Sequence, residues 1–152
     1  MTDRTWLQPD DELLLDDTDY RVMSALVGRT DRLTFQRLSL VSQLGGEGRM
    51  LLQTEDAIME AERLDPEALA GDQVELQGNI FRLRWDSDVR TTRTAPGASA
   101  RFGRGRCAWY AAEDGSVAVL IVERYDREAF TGTPLAPSRI DLRFTEGLRG
   151  AR

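Results

Sequence analysis

The stretch RFGRGRCAWYAAEDGSVAVLIVERY, residues 101–125, contains the strongest fold signal in this chain. The pair Asp114-Gly115 separates two apolar runs, and Asp-Gly in that position is a strong signal for a β-hairpin. Residues 117–122 are apolar at every position, which is typical of a strand covered on both faces. We therefore predict a hairpin whose second strand lies centrally in a sheet.

Hairpin signals recur towards the N-terminus. Short polar residues at 16–19 (DDTD) and a glycine-rich segment at 45–48 (GGEG) each separate two apolar stretches, as does the pair Gly78-Asn79. Such residues suit tight connections because they tolerate unusual backbone angles. The segment LTFQRLSLVSQL, residues 33–44, changes the parity of its apolar positions partway, which predicts a β-bulge or a strand that crosses between faces.

The remaining segments are shorter and less regular. For these we predict a strand at 57–63, a helical turn at 66–70, a turn of helix at 126–130 and a last strand at 139–144. Short strands separated by turns at about ten-residue spacing are typical of all-β folds. We predict a mainly β protein, an antiparallel sandwich or barrel built from hairpins with at most short helical turns.

The length of 152 residues fits one β domain over residues 1–152. The most linker-like segment is APGAS at 95–99, so any division into two lobes is expected near 95–100. The N-terminus has no apolar run behind a basic start, and no apolar run is long enough for a transmembrane helix. With a single cysteine as well, we expect a cytoplasmic protein without a membrane-spanning segment.

All 20 basic residues are arginine, and histidine is absent. The chain therefore lacks the side chain that most often carries protons near neutral pH and the usual amine nucleophile. One cysteine and no histidine cannot provide the usual zinc ligands, and no nucleotide-binding glycine motif occurs. We predict no catalytic residues, metal or cofactor, and we expect Cys107 to be a buried structural thiol.

The net charge of −6 is unevenly distributed. Residues 1–20 contain seven acidic residues and one arginine, and residues 54–75 contain eight acidic residues and one arginine. An acidic protein is not expected to bind nucleic acid in general, because phosphate affinity depends on a positive surface. The leading hypothesis is a non-enzymatic accessory or binding domain for a protein partner or a small cationic ligand.

Residues 86–106 form a segment with a positive net charge. Some of its arginines are candidate binding residues. As a strand, Arg104, Arg106 and Tyr110 share one face, while glycines, Cys107 and Trp109 share the other. We interpret the first face as a solvated surface. The alternative is a weak single-stranded nucleic-acid contact through Arg101, Arg104 and Arg106, helped by an aromatic ring such as Tyr110.

Glu123 ends the most apolar strand and is the one acid that merits inspection. Burial would raise its pKa, and a pair of carboxyl groups can perform acid and base chemistry. A carboxylate-dependent enzyme is therefore the second alternative. The ordinary interpretation is that Glu123 lies at a solvated strand end or pairs with an arginine such as Arg124 or Arg139.

Several segments resemble an uncharacterised bacterial family, the domain-of-unknown-function family numbered 4178. These segments are LTFQRLSL at 33–40, GRMLLQTED at 48–56 and FGRGRCAWYAAEDGSVAVLIVERYDREAFTGTPL at 102–135. The resemblance implies a mostly β domain with an accessory role and no established activity. The chain has Phe35-Gln36 where a tryptophan and a nearby acid are common in that family.

Overall fold

The computed structural model describes residues 6–46 and 48–143. This part of the chain contains strands and two short 3₁₀ turns, and no α-helix. The strands are β1 Glu12–Leu15, β2 Thr18–Arg29, β3 Thr34–Ser42, β4 Arg49–Thr54, β5 Ile58–Leu64, β6 Gln73–Leu76, β7 Asn79–Thr94, β8 Arg101–Ala111, β9 Val117–Glu123, β10 Arg127–Pro134 and β11 Ile140–Arg143. The 3₁₀ turns span Pro66–Ala68 and Pro137–Arg139.

Eight of these strands form a closed antiparallel barrel. The order is β2-β3-β4-β5-β10-β9-β8-β7, and β7 pairs back onto β2 from Ala25↔Thr94 to Arg29↔Arg90. β1 and β11 extend the sheet beyond β2, and β6 extends it beyond β7. The predicted antiparallel β fold is confirmed, and the chain adopts the barrel rather than the sandwich.

The predicted turns have the backbone geometry that their residues favour. Asp16 and Asp17 have φ values of 51° and 64°, so both central residues of the β1–β2 turn are left-handed. This is the primed turn type that matches the twist of paired strands, and aspartate tolerates it better than most residues. Gly115, with φ of 91°, completes the β8–β9 turn.

The four less regular segments agree with the prediction in part. The strand predicted at 57–63 and the helical turn at 66–70 are confirmed as β5 and the first 3₁₀ turn, whose Glu67 N–H is capped by Asp65 at 3.0 Å. The turn of helix predicted at 126–130 is wrong, because β10 begins at Arg127 and pairs with both β5 and β9. Of the predicted last strand, 140–143 are β11, and Phe144 lies outside the described residues.

Large apolar side chains fill the barrel. The interior core includes Phe35, Trp109, Phe130 and Trp85, and the two tryptophan rings stack with centroids 5.5 Å apart. Phe35 lies 5.6 Å from the ring of Trp109 and 6.5 Å from that of Phe130. The interior is therefore closed by packed rings at this level and is not a channel.

Two further cores cover parts of the outer surface. One lies where β1, β11 and Leu7 pack over β2, β3 and β4, and the other lies under the 65–72 segment and β6. Residues 117–122 contact both the interior core and the second outer core, which confirms that β9 is covered on both faces.

The parity change in LTFQRLSL reflects these two cores. Phe35 faces the barrel interior, whereas Leu38 and Leu40 face outward beneath β1. β3 itself keeps a regular register, and the bulge lies in its partner β2, between Val22 and Ser24. The strand is apolar on its inner face at Phe35 and on its outer face at Leu38 and Leu40, and its inner face becomes polar at Arg37 and Ser39.

No helical segment in the described part of the chain has the length and apolar character needed to cross a membrane.

Candidate anion-binding site

A cavity of about 400 Å³ opens at the end of the barrel where β7 ends and β8 begins. Its wall comes from β2, β3, β5, β7 and β8, together with the loop between β7 and β8. The lining residues are Ser24, Ala25, Leu26, Arg37, Ser39, Arg63, Arg93, Thr94, Ala95, Ala98, Ser99 and Arg101. Four of them are arginines, and we call these four the arginine cup.

Strand alternation explains why these arginines converge. Alternate residues of a strand lie on one face, so an inward-facing apolar residue predicts the direction of its neighbours two, four or six positions away. Each cup arginine shares a face with a residue of the interior core: Arg37 with Phe35, Arg63 with Ala61, Arg93 with Val89 and Arg101 with Cys107. The barrel interior thus changes from apolar rings to arginines at its open end.

Glu123 neutralises one of the cup arginines. Arg93 donates to both carboxylate oxygens, at 2.7 Å to Oε1 and 3.3 Å to Oε2, and the buried Thr91 hydroxyl donates to Oε2 at 2.7 Å. Burial acts to raise the pKa of Glu123, but these hydrogen bonds and the charges of Arg93 and Arg101 outweigh it and lower that pKa. Glu123 therefore pairs with an arginine, as in the ordinary interpretation, but its partner is Arg93 rather than Arg124 or Arg139, and it is ionised at neutral pH.

Glu128 neutralises a second arginine deeper in the wall. Arg37 Nε donates to Glu128 Oε2 at 2.6 Å, and its Nη1 donates to Ser39 Oγ at 3.1 Å. The two ion-paired side chains are only 10% and 11% exposed. A pair this buried holds the Arg37 guanidinium in one orientation.

Arg63 and Arg101 complete the cup and are exposed at its opening. Neither forms a hydrogen bond or ion pair with any residue in the described ranges 6–46 and 48–143, although the Arg101 charge acts on Glu123. Two of the four positive charges in the cup are therefore not matched by a carboxylate. Arg93 and Arg101 are also direct cross-strand neighbours, an arrangement that is unfavourable for like charges and that the Glu123 carboxylate offsets.

Gly103 provides the space for the Glu123 carboxylate. A β-carbon at this position would overlap Glu123 Oε2 and Thr91 Oγ1. We expect Gly103→Ala to displace the carboxylate, to disrupt its bonds with Arg93 and to lower the free energy of unfolding by about 1–3 kcal/mol. Urea unfolding of the single variants and of the Gly103→Ala/Glu123→Ala double variant measures the coupling. The double variant should lose less free energy of unfolding than the two single variants lose in sum. Strictly additive losses would contradict this account.

The structure separates the five residues singled out from the sequence. Arg101 and Glu123 lie at the cup, whereas Arg104 is exposed on the outer face of β8. Arg106, also outside, binds Asp86 at 2.9 Å and Asp88 at 3.0 Å. Tyr110 is buried in an outer core and donates to the Gly71 carbonyl at 2.7 Å. Arg101, Arg104 and Arg106 therefore do not form one surface.

Cys107 and the perturbed carboxyl groups give no support to proton-transfer chemistry. Burial, with a smaller effect of the Asp86 charge, raises the pKa of Cys107 to about 12, so the predicted buried structural thiol is confirmed. The pKa values of Asp16, Asp114 and Glu123 are all lowered by hydrogen bonds to their charged forms. Carboxylates of this kind are ionised at neutral pH and do not act as general acids.

The acidic turn between β1 and β2 is already bound by arginines. Asp16 accepts hydrogen bonds from Arg139 at 2.7 Å and from Arg49 at 3.0 Å, and both arginines also contact Glu60. These bonds lower the pKa of Asp16. The charges of Asp16 and Glu60 are therefore paired within the protein.

A scan against protein-family models finds no match, and searches of curated proteins and of solved structures find none either. The resemblance to the family numbered 4178 accordingly stays a prediction. The functional inference rests on the geometry of the cup.

Proposed function

We propose that this protein is a ligand-binding β-barrel that holds a small oxyanion, a carboxylate or phosphate group, in the arginine cup. The observation that carries the proposal is the pair of exposed arginines, Arg63 and Arg101, at the opening of a cavity whose other arginines are already ion-paired. The proposal keeps the predicted binding role but assigns the ligand a negative charge.

Arginine chemistry supports an oxyanion over other ligands. Each guanidinium presents donors in a planar fork that matches the two oxygens of a carboxylate or phosphate. Ser24, Ser39 and Ser99 also line the cavity and provide hydroxyl donors. A bound anion would offset the charges of Arg63 and Arg101, so anion binding is expected to stabilise the folded barrel.

Binding is tested with inorganic phosphate and citrate by calorimetry and thermal unfolding at low ionic strength. We expect both anions to stabilise the protein and the Arg63→Ser/Arg101→Ser variant to bind them at least about tenfold more weakly, a loss of about 1.4 kcal/mol or more. Arg104→Ser is the matched control, because it removes an exposed arginine from the outer face of the same strand. Equal binding by the double variant, or no binding by the wild type, would contradict the proposal.

A small cationic ligand remains the competing prediction from the acidic composition. Spermidine in the same thermal assay separates the two. Stabilisation by spermidine without stabilisation by phosphate or citrate would favour the acidic surface over the cup.

A further inference from the structure

Large apolar side chains are exposed around the open end of the barrel. Leu44 is 89% exposed, Phe102 is 80% exposed and Tyr125 is 87% exposed. The antiparallel pairings bring the β3–β4, β7–β8 and β9–β10 connections to the end where the cup opens. Leu44 and Tyr125 lie in two of these connections, and Phe102 is the second residue of β8. All three therefore lie at one end of the molecule.

Exposure of this extent is unusual for rings. Burying a phenylalanine stabilises a protein by about 1.5–3 kcal/mol relative to leaving it in water, so exposed rings often mark a contact surface. The other strongly exposed apolar residues, Ile80 and Met23, are only 47% and 40% exposed. The most exposed large apolar groups of the described chain thus lie at the end of the barrel where the arginine cup opens.

Arginines accompany the rings on this side. The Arg124 guanidinium lies 5.1 Å from the centre of the Tyr125 ring. Over the start of β8, the β9–β10 connection and the first residue of β10, exposed arginines outnumber exposed acids: Arg101, Arg104, Arg124 and Arg127 against Asp126. The exposed charge beside Phe102 and Tyr125 is therefore positive although the whole chain carries −6, whereas Leu44 lies beside the acidic β1–β2 hairpin, where Gln43 N donates to the Asp19 carbonyl.

We infer that this end of the barrel docks on an anionic lipid bilayer, with Leu44, Phe102 and Tyr125 entering the interfacial layer and a lipid phosphate group entering the arginine cup. The inference rests on the proposed anion site and names the source of its ligand. Aromatic side chains favour the membrane interface, and basic residues near the surface add attraction to anionic lipids.

The spacing of the apolar groups favours a bilayer over a folded protein partner. A stable protein interface buries a contiguous patch with an apolar centre. Here the apolar side chains lie on two strand connections and at the start of β8, at the end of the barrel where the arginine cup opens. A lipid headgroup layer accepts single apolar groups between polar ones. Separated apolar side chains can therefore insert into it without a continuous apolar face.

Vesicle cosedimentation tests the inference with phosphatidylcholine vesicles and with vesicles that also contain phosphatidylglycerol. We expect the wild type to bind only the anionic vesicles appreciably. Leu44→Ser/Phe102→Ser/Tyr125→Ser should bind them at least about tenfold more weakly, because three apolar insertions are lost, yet should bind inorganic phosphate normally. Ile80→Ser, at the opposite end of the barrel, is the matched control and should bind both as the wild type does.

Each arm has a distinct interpretation. Phosphate binding without vesicle binding would overturn the docking inference and leave the anion site intact, whereas failure of both would overturn both. Equal binding to neutral and anionic vesicles would contradict the requirement for anionic lipid, and wild-type vesicle binding by the triple variant would exclude the three apolar anchors. Loss of both ligands in Arg63→Ser/Arg101→Ser, with an unchanged unfolding temperature, would support the inference.

Discussion

Glu128→Gln is expected to lower the free energy of unfolding by about 3 kcal/mol, one of the two largest effects predicted for this chain. The substitution removes the charge that compensates Arg37, and both side chains are nearly buried. An uncompensated buried charge costs several kcal/mol, although the amide can still accept a hydrogen bond. Urea unfolding at neutral pH measures the loss.

Asp88→Asn is the control for that experiment. Asp88 also pairs with an arginine, Arg106, but its side chain is 91% exposed. Exposed pairs contribute little, so the change should be within about 0.5 kcal/mol. Because Glu128→Gln also leaves the cup more positive, its phosphate affinity should rise while its stability falls. Similar stabilities for the two variants would contradict the burial account.

Phe35→Ala is expected to cost about 3–5 kcal/mol. Phe35 is fully buried at the centre of the interior core, where it contacts the rings of Trp109 and Phe130. Gly28 accommodates this ring, because a β-carbon at Gly28 would overlap it. The surrounding barrel wall is tied by strand pairing and cannot collapse into the space that the ring leaves.

Phe102→Ala removes the same group from the surface and is the control for Phe35→Ala. Its ring is 80% exposed, so the stability change should be within about 0.5 kcal/mol. Chemical unfolding of both variants gives the comparison. A loss below about 1 kcal/mol for Phe35→Ala would mean that the ring does not support the core as described.

The predictable part of this fold is its local part. Turn residues such as Asp16-Asp17 and Asp114-Gly115 specify hairpins, because the backbone angles that they favour match paired strands. β5 pairs with β10 and β2 pairs with β7, but these partners are far apart in the chain. No local pattern encodes such pairings, so the sequence alone could not distinguish a barrel from a sandwich.

The cup was only partly predictable for the same reason. Alternation correctly placed Arg104 and Arg106 on one face of β8 and Cys107 on the other. Arg37, Arg63 and Arg93 were missed, because each lies on a different strand and only closure of the barrel brings them together. The available signal was an arginine that shares strand parity with a neighbouring apolar residue, as Arg37 does with Phe35.

The pairing of β2 with β7, which we call the seam, closes the barrel and affects how the protein folds. Its five residue pairs join segments that are separated by four intervening strands in the chain, so little local structure brings them together. Contacts of high sequence separation require an entropically costly loop to close first, and topologies rich in them fold slowly. Arg93 lies on this seam, opposite Leu26. Its side chain therefore reaches its final position only when the barrel has closed. The cup is therefore a late product of folding, and an intermediate with intact hairpins would still lack it.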